Sequence, residues 1–339
     1  MLKEINANLR AARRALVGLA ILPVVVLATA VQGFIVGPLS EKRSKKVYNA
    51  IPNAIYKTIG KLLGYKVSFN KASAPISTEN TWYLPNHMSI ADFIVIGSTL
   101  QGTFSGKGDL LKQPGIAQMA RAVKYIGLRR SREFNPQSRA KIIKNFNAGF
   151  NTITFLEGTT TDGKQVAMFH AALPAIAFGE KGVDKQNNEV TLDKDIVFQP
   201  VAIRVKSVDG QDTTGNDKLR EDYAQYYENR TLTRIWKRLK IKEIQVELTT
   251  FAPLKPADFA DAKALANAAA TEIVSVVNPG QVGFQKAVIP GMPVKAAEKA
   301  AEIAVATATE PKPEAVTQAP VNVMKPLQLR NSSEPKPQS

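Results

Sequence analysis

The sequence predicts an α/β domain behind an apolar N-terminal segment. From Gly64 onward, short apolar runs of strand length alternate with stretches of helical periodicity, which is the pattern of an alternating α/β fold. From about Pro279 the chain is rich in Ala, Pro, Lys, Glu and Gln with scarcely any aromatic residue, which predicts disorder. We therefore predict three parts: membrane-anchoring helices over 1–64, the α/β domain over 65–278 and a disordered tail over 279–339.

The anchor rests on an uncharged run over residues 15–40, which is long enough to cross a bilayer and has basic residues on both sides. Pro23, Gln32, Gly33 and Gly37 interrupt the run, so a helix that dips into one leaflet competes with a full span. A cleaved signal peptide is a third interpretation, because residues 28–30 (Ala-Thr-Ala) have the small-x-small form of a cleavage site. The stretch over 47–65 carries its apolar residues on one side, which predicts an amphipathic helix against the membrane or the domain.

Beyond Gly64 the periodicity gives each element of the domain in turn. We predict strands over residues 65–70, 81–84, 125–128, 151–156, 196–205 and 244–251. We predict helices over residues 90–100, 110–123, 135–149 and 256–277, a further helix starting near 168–172, and a polar, turn-rich connection over 101–108.

Charge and composition narrow the class of function. The net charge of +16 predicts an anionic partner: a nucleic acid, a membrane surface or a phosphorylated substrate. The absence of cysteine excludes disulfides, thiolate catalysis and cysteine-zinc sites, and the two histidines lack metal-site spacing, so no metal is expected. No nucleic-acid-binding module is recognisable, which argues against that partner.

The stretch over residues 83–93 (YLPNHMSIADF) holds the first candidate site, because Asp92 follows His87 by five positions. The imidazole titrates nearest neutral pH, so His87 can accept a proton from a hydroxyl while a carboxylate fixes its tautomer. No G-x-S-x-G or other nucleophile signature occurs elsewhere, so the attacking hydroxyl can belong to the substrate. The alternative is structural: both residues can cap the helix that follows.

Two further regions carry polar chemistry. Basic residues greatly outnumber acidic ones over residues 107–144, which predicts an anion site there, although a solvated basic face has the same pattern. The turn over 155–164 (FLEGTTTDGK) combines an acid, two glycines and three hydroxyls after a buried strand, where ligands collect in open α/β sheets. His170 is a candidate second base or a binding residue.

Four blocks occur in an order that resembles the lysophospholipid (1-acylglycerol-3-phosphate) acyltransferase family, over roughly residues 67–204. The blocks are Asn86-His87-x-Ser89-x-x-Asp92, then Arg130, then Glu157-Gly158-Thr159, then Gln199-Pro200-Val201-Ala202-Ile203. Between them, Phe104-x-x-Lys107 resembles the family's linking segment, and Phe169-His170 stands where a Phe-Lys or Phe-Arg pair is usual.

The resemblance implies transfer of a fatty acyl group from a thioester of acyl carrier protein or coenzyme A to the hydroxyl of a membrane lysolipid. His87 would be the general base and Asp92 its partner. The thioester would be a co-substrate, and no cofactor or metal is implied. The resemblance assigns substrate binding to the remaining matched positions: Asn86, Ser89, Lys107, Arg129, Arg130, Glu157, Gly158, Thr159, Thr160, His170 and Pro200.

Two departures from the family pattern bear on the acceptor. Arg129 occupies a position that is usually acidic or an amide, which leaves Arg130 as the residue expected to hold an anionic head group. Thr160 replaces the arginine that would pair with a phosphate monoester, and Glu-Gly-Thr-Thr-x-Asp-Gly is similar to the form in lyso-ornithine lipid acyltransferases. Lyso-ornithine lipid is therefore the leading acceptor and 1-acylglycerol-3-phosphate the second.

The resemblance also implies a mostly parallel central sheet flanked by helices, with N-terminal helices that hold the enzyme on the cytosolic face of a bacterial inner membrane. A cleaved signal peptide would put the site on the wrong side for its thioester donor, which favours the anchor. The alternative of another class is a basic, non-catalytic membrane or lipid-binding protein.

Overall fold

The computed structural model describes residues 2–36, 45–78, 80–112, 117, 120, 123, 125–128, 136–224 and 231–285. All of them belong to one compact unit, residues 1–293, and a second unit, residues 294–339, lies outside the described part of the chain. Residues 279–285, which the sequence places in the tail, are held by hydrogen bonds: the Gln281 side chain pairs with both backbone groups of Val166, and Met168 N–H donates to the Gln285 carbonyl.

Two helices precede the domain. Helix α1 (Leu2–Val31) ends in a π turn (Gln32–Val36), and helix α2 covers Lys45–Leu63. Helix α1 is long and apolar enough to cross a membrane, and only a small share of it is buried in the protein. Gly97 lets α2 approach the domain, because a Cβ at this position would lie 2.4 Å from the ring of Tyr56.

The strands and helices of the domain follow in order. The strands are β1 (Tyr65–Phe69), β2 (Thr81–Pro85), β3 (Thr103–Lys107), β4 (Ile126–Leu128), β5 (Thr152–Thr154), β6 (Gly182–Val183), β7 (Glu189–Val190), β8 (Val197–Val208), β9 (Gln211–Asp212) and β10 (Ile244–Thr250). The helices are α3 (Ala91–Gly97), α4 (Pro136–Asn147), α5 (Asp217–Ala224), α6 (Thr231–Lys240) and α7 (Ala262–Val277).

Within the described residues, eight strands form one sheet in the order β1-β10-β8-β2-β5-β3-β4, with β9 paired to β8. Strands β8, β2, β5, β3 and β4 run parallel, whereas β10 is antiparallel to β8 and parallel to β1. The predicted mostly parallel sheet is therefore confirmed. The five parallel strands end at the same edge, which is where the residues after β2 and β5 meet.

The alternation of side chains along β2 divides the core between the two faces of the sheet. Trp82 and Leu84 pack with α4 and α7 on one face, whereas Tyr83 packs with α3 and α5 on the other. Both faces are thus covered by helices, as the α/β pattern predicts.

Two sequence predictions of local structure are wrong. The connection predicted over 101–108 contains strand β3. The Ser105 hydroxyl forms a hydrogen bond with the Thr154 hydroxyl, and Thr154 also accepts from Trp82 Nε1. The polar side chains of β3 and β5 therefore have hydrogen-bond partners inside the sheet. The helix predicted near 168–172 does not form, because its backbone N–H groups donate elsewhere, including that of His170 to the Leu156 carbonyl. A short 3₁₀ turn, Pro174–Phe178, follows instead. Of the helix predicted over 110–123, residues 110–112 end a 3₁₀ turn, Gly108–Lys112, residues 117 and 120 are helical, and most of the rest lies outside the described residues.

Candidate active site

The loop between β2 and α3 positions the predicted dyad. Asn86 extends the pairing of β2 with β8 by one residue, because its side-chain amide accepts from the N–H of Ile203 at 2.7 Å and donates to the Ile203 carbonyl at 3.2 Å. The chain then turns away from the sheet at His87 and enters α3, whose first turn contains Asp92. His87 is thereby fixed at the carboxyl edge of the sheet.

Asp92 is fully buried and joins the loop to the imidazole. Its Oδ2 atom accepts the backbone N–H groups of Met88 at 2.7 Å and Ser89 at 2.8 Å, and it lies 2.9 Å from Nδ1 of His87. A carboxylate surrounded by donors is an acceptor, so Nδ1 carries the proton and the lone pair of the neutral ring is on Nε2. The carboxyl thus orders the loop before the helix and orients the histidine. The predicted cap does not form, because the N-cap residue of α3 is Ile90, which has no side-chain cap hydrogen bond.

Tyr223 of α5 supplies a further donor to this carboxyl. Its hydroxyl donates to Asp92 Oδ1 at 2.5 Å, and the whole side chain is buried. Burial, followed by the charge of Asp92, raises the pKa of Tyr223 well above its ordinary value, so the phenol keeps the proton that it donates. Tyr223 therefore holds the side of Asp92 that faces away from His87.

Aromatic rings fix the plane of the imidazole. Phe155 stacks on His87 with 4.0 Å between ring centroids and 17° between planes, and Phe93 meets it edge-on at 5.8 Å. The His87 side chain is largely buried but keeps some exposure. Its Nε2 atom is the ring nitrogen that Asp92 leaves available for chemistry.

Glu157 is built into the same edge. Its buried carboxyl accepts the N–H of His87 on Oε1 at 2.7 Å and that of Ala167 on Oε2 at 3.1 Å. Burial raises the pKa of Glu157 to about 8, and the charge of Asp92 acts in the same direction, while the two backbone donors oppose it. Both oxygens are engaged by backbone, so the structure assigns Glu157 a supporting position behind the dyad.

The rest of the turn after β5 closes around His87. Thr161 donates to the His87 carbonyl through its N–H at 2.8 Å and through its hydroxyl at 3.2 Å. Gly158 has a positive φ of 73° and lies against the ring of His170, where an added Cβ would come within 3.2 Å. Thr159 and Thr160, which follow, are half-buried.

The remaining predicted binding residues lie in different surroundings. Ser89 is buried, and its hydroxyl accepts the N–H of Ala91 at 3.2 Å. Lys107 ends β3, two strands from β2, and forms an exposed ion pair with Asp109 at 3.2 Å. Pro200 is buried inside β8 in register with Leu84. Arg129 and Arg130 lie outside the described residues.

Three contributors to the site were not predicted from the sequence: Tyr223, Phe155 and Thr161. Phe155 and Thr161 belong to the turn over residues 155–164, which the sequence marked as a candidate site. Their proximity to His87 could have been inferred from that turn. Tyr223 follows Asp92 by 131 positions and has no local signal, so only the fold brings it to the site.

A cavity of about 1050 Å³ lies elsewhere, between the 3₁₀ turn Pro174–Phe178 and the start of β8 at Val197. Because β8 runs parallel to β2, its start lies at the edge of the sheet opposite His87. This cavity is therefore not the space that the dyad serves. Among the described residues, no group of three or more His, Asp or Glu side chains is arranged to hold a metal ion.

The arrangement defines a class: an α/β domain with a buried carboxylate behind a histidine at the carboxyl edge of its sheet. Residues 68–204 match the family model described as acyltransferase.

Curated relatives include lyso-ornithine lipid O-acyltransferases. The protein from Rhodobacter capsulatus is 27% identical over 184 residues, which is 54% of this chain and 60% of that protein. The protein from Brucella abortus is 26% identical over 167 residues, 47% of this chain and 57% of that one. The protein from Pseudomonas aeruginosa is 27% identical over 121 residues, 36% and 42% of the two chains. The matched segments thus span less than two thirds of these relatives.

The 1-acyl-sn-glycerophosphate (LPA) acyltransferase PlsC from Thermotoga maritima has a similar structure, with a TM-score of 0.54 and 17% identity over 83% of this chain and 99% of that one. At this identity the likeness shows a shared fold.

Proposed function

We propose that this protein is an O-acyltransferase that moves a fatty acyl group from an acyl thioester to the free hydroxyl of a membrane lysolipid. The observation that carries the proposal is the His87–Asp92 pair, which lies within the family-matched segment and leaves Nε2 available as a base. The thioester donor is acyl carrier protein or coenzyme A. The apolar helix α1 supports a site on the cytosolic face of a bacterial inner membrane, where both substrates meet.

His87 would act as the general base of a direct transfer. Its Nε2 takes the proton of the acceptor hydroxyl while the hydroxyl oxygen attacks the thioester carbonyl carbon. The buried Asp92 stabilises the imidazolium that forms. The tetrahedral intermediate then expels the thiolate as the C–S bond breaks, and the imidazolium returns its proton to the sulfur.

Lyso-ornithine lipid is the leading acceptor. Thr160 stands where an arginine would pair with a phosphate monoester, and three relatives carry lyso-ornithine lipid O-acyltransferase names. Transfer to 1-acylglycerol-3-phosphate, which would make phosphatidic acid, is the second candidate, because the four sequence blocks resemble the 1-acylglycerol-3-phosphate acyltransferase family.

The test is acyl transfer by the purified full-length protein in lipid vesicles, with each thioester donor and both lysolipids. We expect His87→Ala to lower turnover by about 100- to 10,000-fold, the usual contribution of a general base. His170→Ala is the matched comparison, because it removes the other histidine of the chain. We expect it to change the KM for the acceptor and to keep turnover.

A non-catalytic lipid-binding protein predicts a different pattern. The wild type would bind lysolipid vesicles without transferring an acyl group, and His87→Ala would bind them equally well. Wild-type activity that survives in His87→Ala would also reject the mechanism. Thermal unfolding of His87→Ala and His170→Ala shows whether a loss of activity in either variant comes from misfolding.

A further inference from the structure

Helix α1 is fastened to the end of α6 by two arginines one turn apart. Arg10 donates to the Lys240 carbonyl, and Arg14 donates to the carbonyls of Leu239 at 3.2 Å and Lys242 at 2.8 Å. The last carbonyls of a helix lack partners within it and attract cations. An ion pair between Glu4 and Lys240 at 3.0 Å lies at the same junction.

Arg14 also marks a boundary along α1. The uncharged run begins at the next residue, and the segment before Arg14 carries the basic residues Lys3, Arg10 and Arg13. When such a run enters a bilayer, the arginines at its start lie at the level of the lipid head groups. Because Arg14 bonds the end of α6, that end lies at the same level.

Contacts with the domain set which face of α6 points outward. The guanidinium of Arg238 is buried: its Nε donates to the Tyr65 hydroxyl at 2.6 Å, and it lies over the Tyr65 ring at 4.1 Å. With this side turned inward, Ile235 and Trp236, which precede Arg238 by three and two residues, are 50% and 40% exposed. The outward surface of α6 therefore presents two large apolar side chains beside the exposed Lys237.

We propose that α6 lies in the head-group layer of an anionic membrane, with Ile235 and Trp236 at the boundary of the acyl chains. Tryptophan beside lysine is the composition of a helix at a lipid interface. Two observations identify the occupant as lipid. The surface continues from α1, which exposes its own apolar residues, including Leu16 and Leu19, and the surrounding charge is positive.

This placement would extend the membrane contact from the anchor to the side of the catalytic domain. It depends on the proposed membrane location and does not depend on acyl transfer by His87.

The two tryptophans of the chain allow a direct test, because Trp82 is 0% exposed in the core and only Trp236 can report on α6. The full-length protein is reconstituted in anionic vesicles that contain brominated phospholipid, which quenches tryptophan at close range. Trp236→Phe provides the Trp82 background. We expect Trp236 to lose emission in brominated vesicles while Trp82 does not, and we expect Ile235→Glu to reduce this loss.

Three outcomes would overturn the proposal. The wild type and Trp236→Phe could show equal quenching in vesicles to which the protein is bound. Trp236 could be shielded from aqueous acrylamide without being quenched by brominated lipid, which would place a protein partner or a second copy on this face. Finally, the protein could fail to bind anionic vesicles. His87→Ala should give the wild-type quenching, so failure of the proposed chemistry and failure of this docking are distinguishable.

Discussion

Replacing Tyr223 by Phe tests whether the hydroxyl behind Asp92 matters for the dyad. The substitution removes only the oxygen, and the ring can keep its edge-on contact with Tyr65 at 6.1 Å. Asp92 Oδ1 would lose this donor in a fully buried site, while Oδ2 keeps its backbone donors and His87. A hydrogen bond to a charged group contributes about 1.5–3 kcal/mol, so we expect the free energy of unfolding to fall by that amount.

The same bond sets a ceiling on the catalytic effect. If all of it were lost in the transition state alone, 1.5–3 kcal/mol would correspond to about 10- to 150-fold in rate. The hydrogen bond between Tyr223 and Asp92 exists in the ground state too. Only the share of its free energy that keeps Asp92 aligned with His87 in the transition state therefore affects kcat. We expect kcat to fall about 3- to 30-fold. The KM should stay unchanged, because Tyr223 contacts Asp92 and is buried behind it.

The assay is steady-state acyl transfer beside chemical denaturation, with Tyr83→Phe as the matched control. Tyr83 is a second buried tyrosine, and its hydroxyl donates to the carbonyl of Ser77. Its loss should cost about 0.5–1.5 kcal/mol of stability and leave kcat unchanged. If the two variants have the same kcat at similar stability, Tyr223 is a structural residue and the reasoning is refuted.

Three further changes address other parts of the site. Glu157 has a folded pKa of about 8 against an ordinary 4.5, so its contribution to stability is full below pH 4.5 and is lost as the pH rises through 8. We expect Glu157→Gln to have a lower free energy of unfolding than the wild type at pH 4.5, because the amide has one acceptor oxygen fewer. Between pH 4.5 and 8 its free energy of unfolding should fall less than that of the wild type, and an equally steep fall would contradict this. Asn86→Ala should cost about 2–5 kcal/mol in denaturant unfolding, because the N–H and the carbonyl of Ile203 lose their side-chain partner, and a cost below 1 kcal/mol would argue against it. Thr160→Arg should shift the ratio of kcat/KM toward 1-acylglycerol-3-phosphate relative to lyso-ornithine lipid; a ratio equal to that of the wild type would remove Thr160 as the determinant.

The sequence predicted the parts of the site that are local in the chain. His87 and Asp92 are five positions apart across one strand-to-helix turn, so their spacing sufficed to bring them together. The turn after β5 was correctly placed near them, because strands β2 and β5 are parallel neighbours that end at the same edge. Periodicity also located α3, α4 and α7, whereas α5 and α6 were not predicted and the helix expected near 168–172 does not form.

What the sequence missed depends on distant partners. Strand β3 looked like a polar connection because the partner of Ser105, Thr154, belongs to another strand. The segment near Met168 has helical composition, but its N–H groups bond Leu156 and Gln285, which no local window contains. The orientation of α6 depends in the same way on the contact between Arg238 and Tyr65, which are 173 positions apart.

The pairing of β1 with β10 has a consequence for how the protein is made. Strand β1 leaves the ribosome soon after α1, but its partner, β10, is synthesised roughly 175 residues later. At about 5–20 residues per second, this interval is on the order of 10–35 s. During that time the anchor can already be in the bilayer while β1 remains an unpaired edge beside it. Under the proposed membrane location of α1, the sheet would be completed from both ends of its sequence at the membrane surface, with insertion of α1 first and pairing of β1 with β10 later.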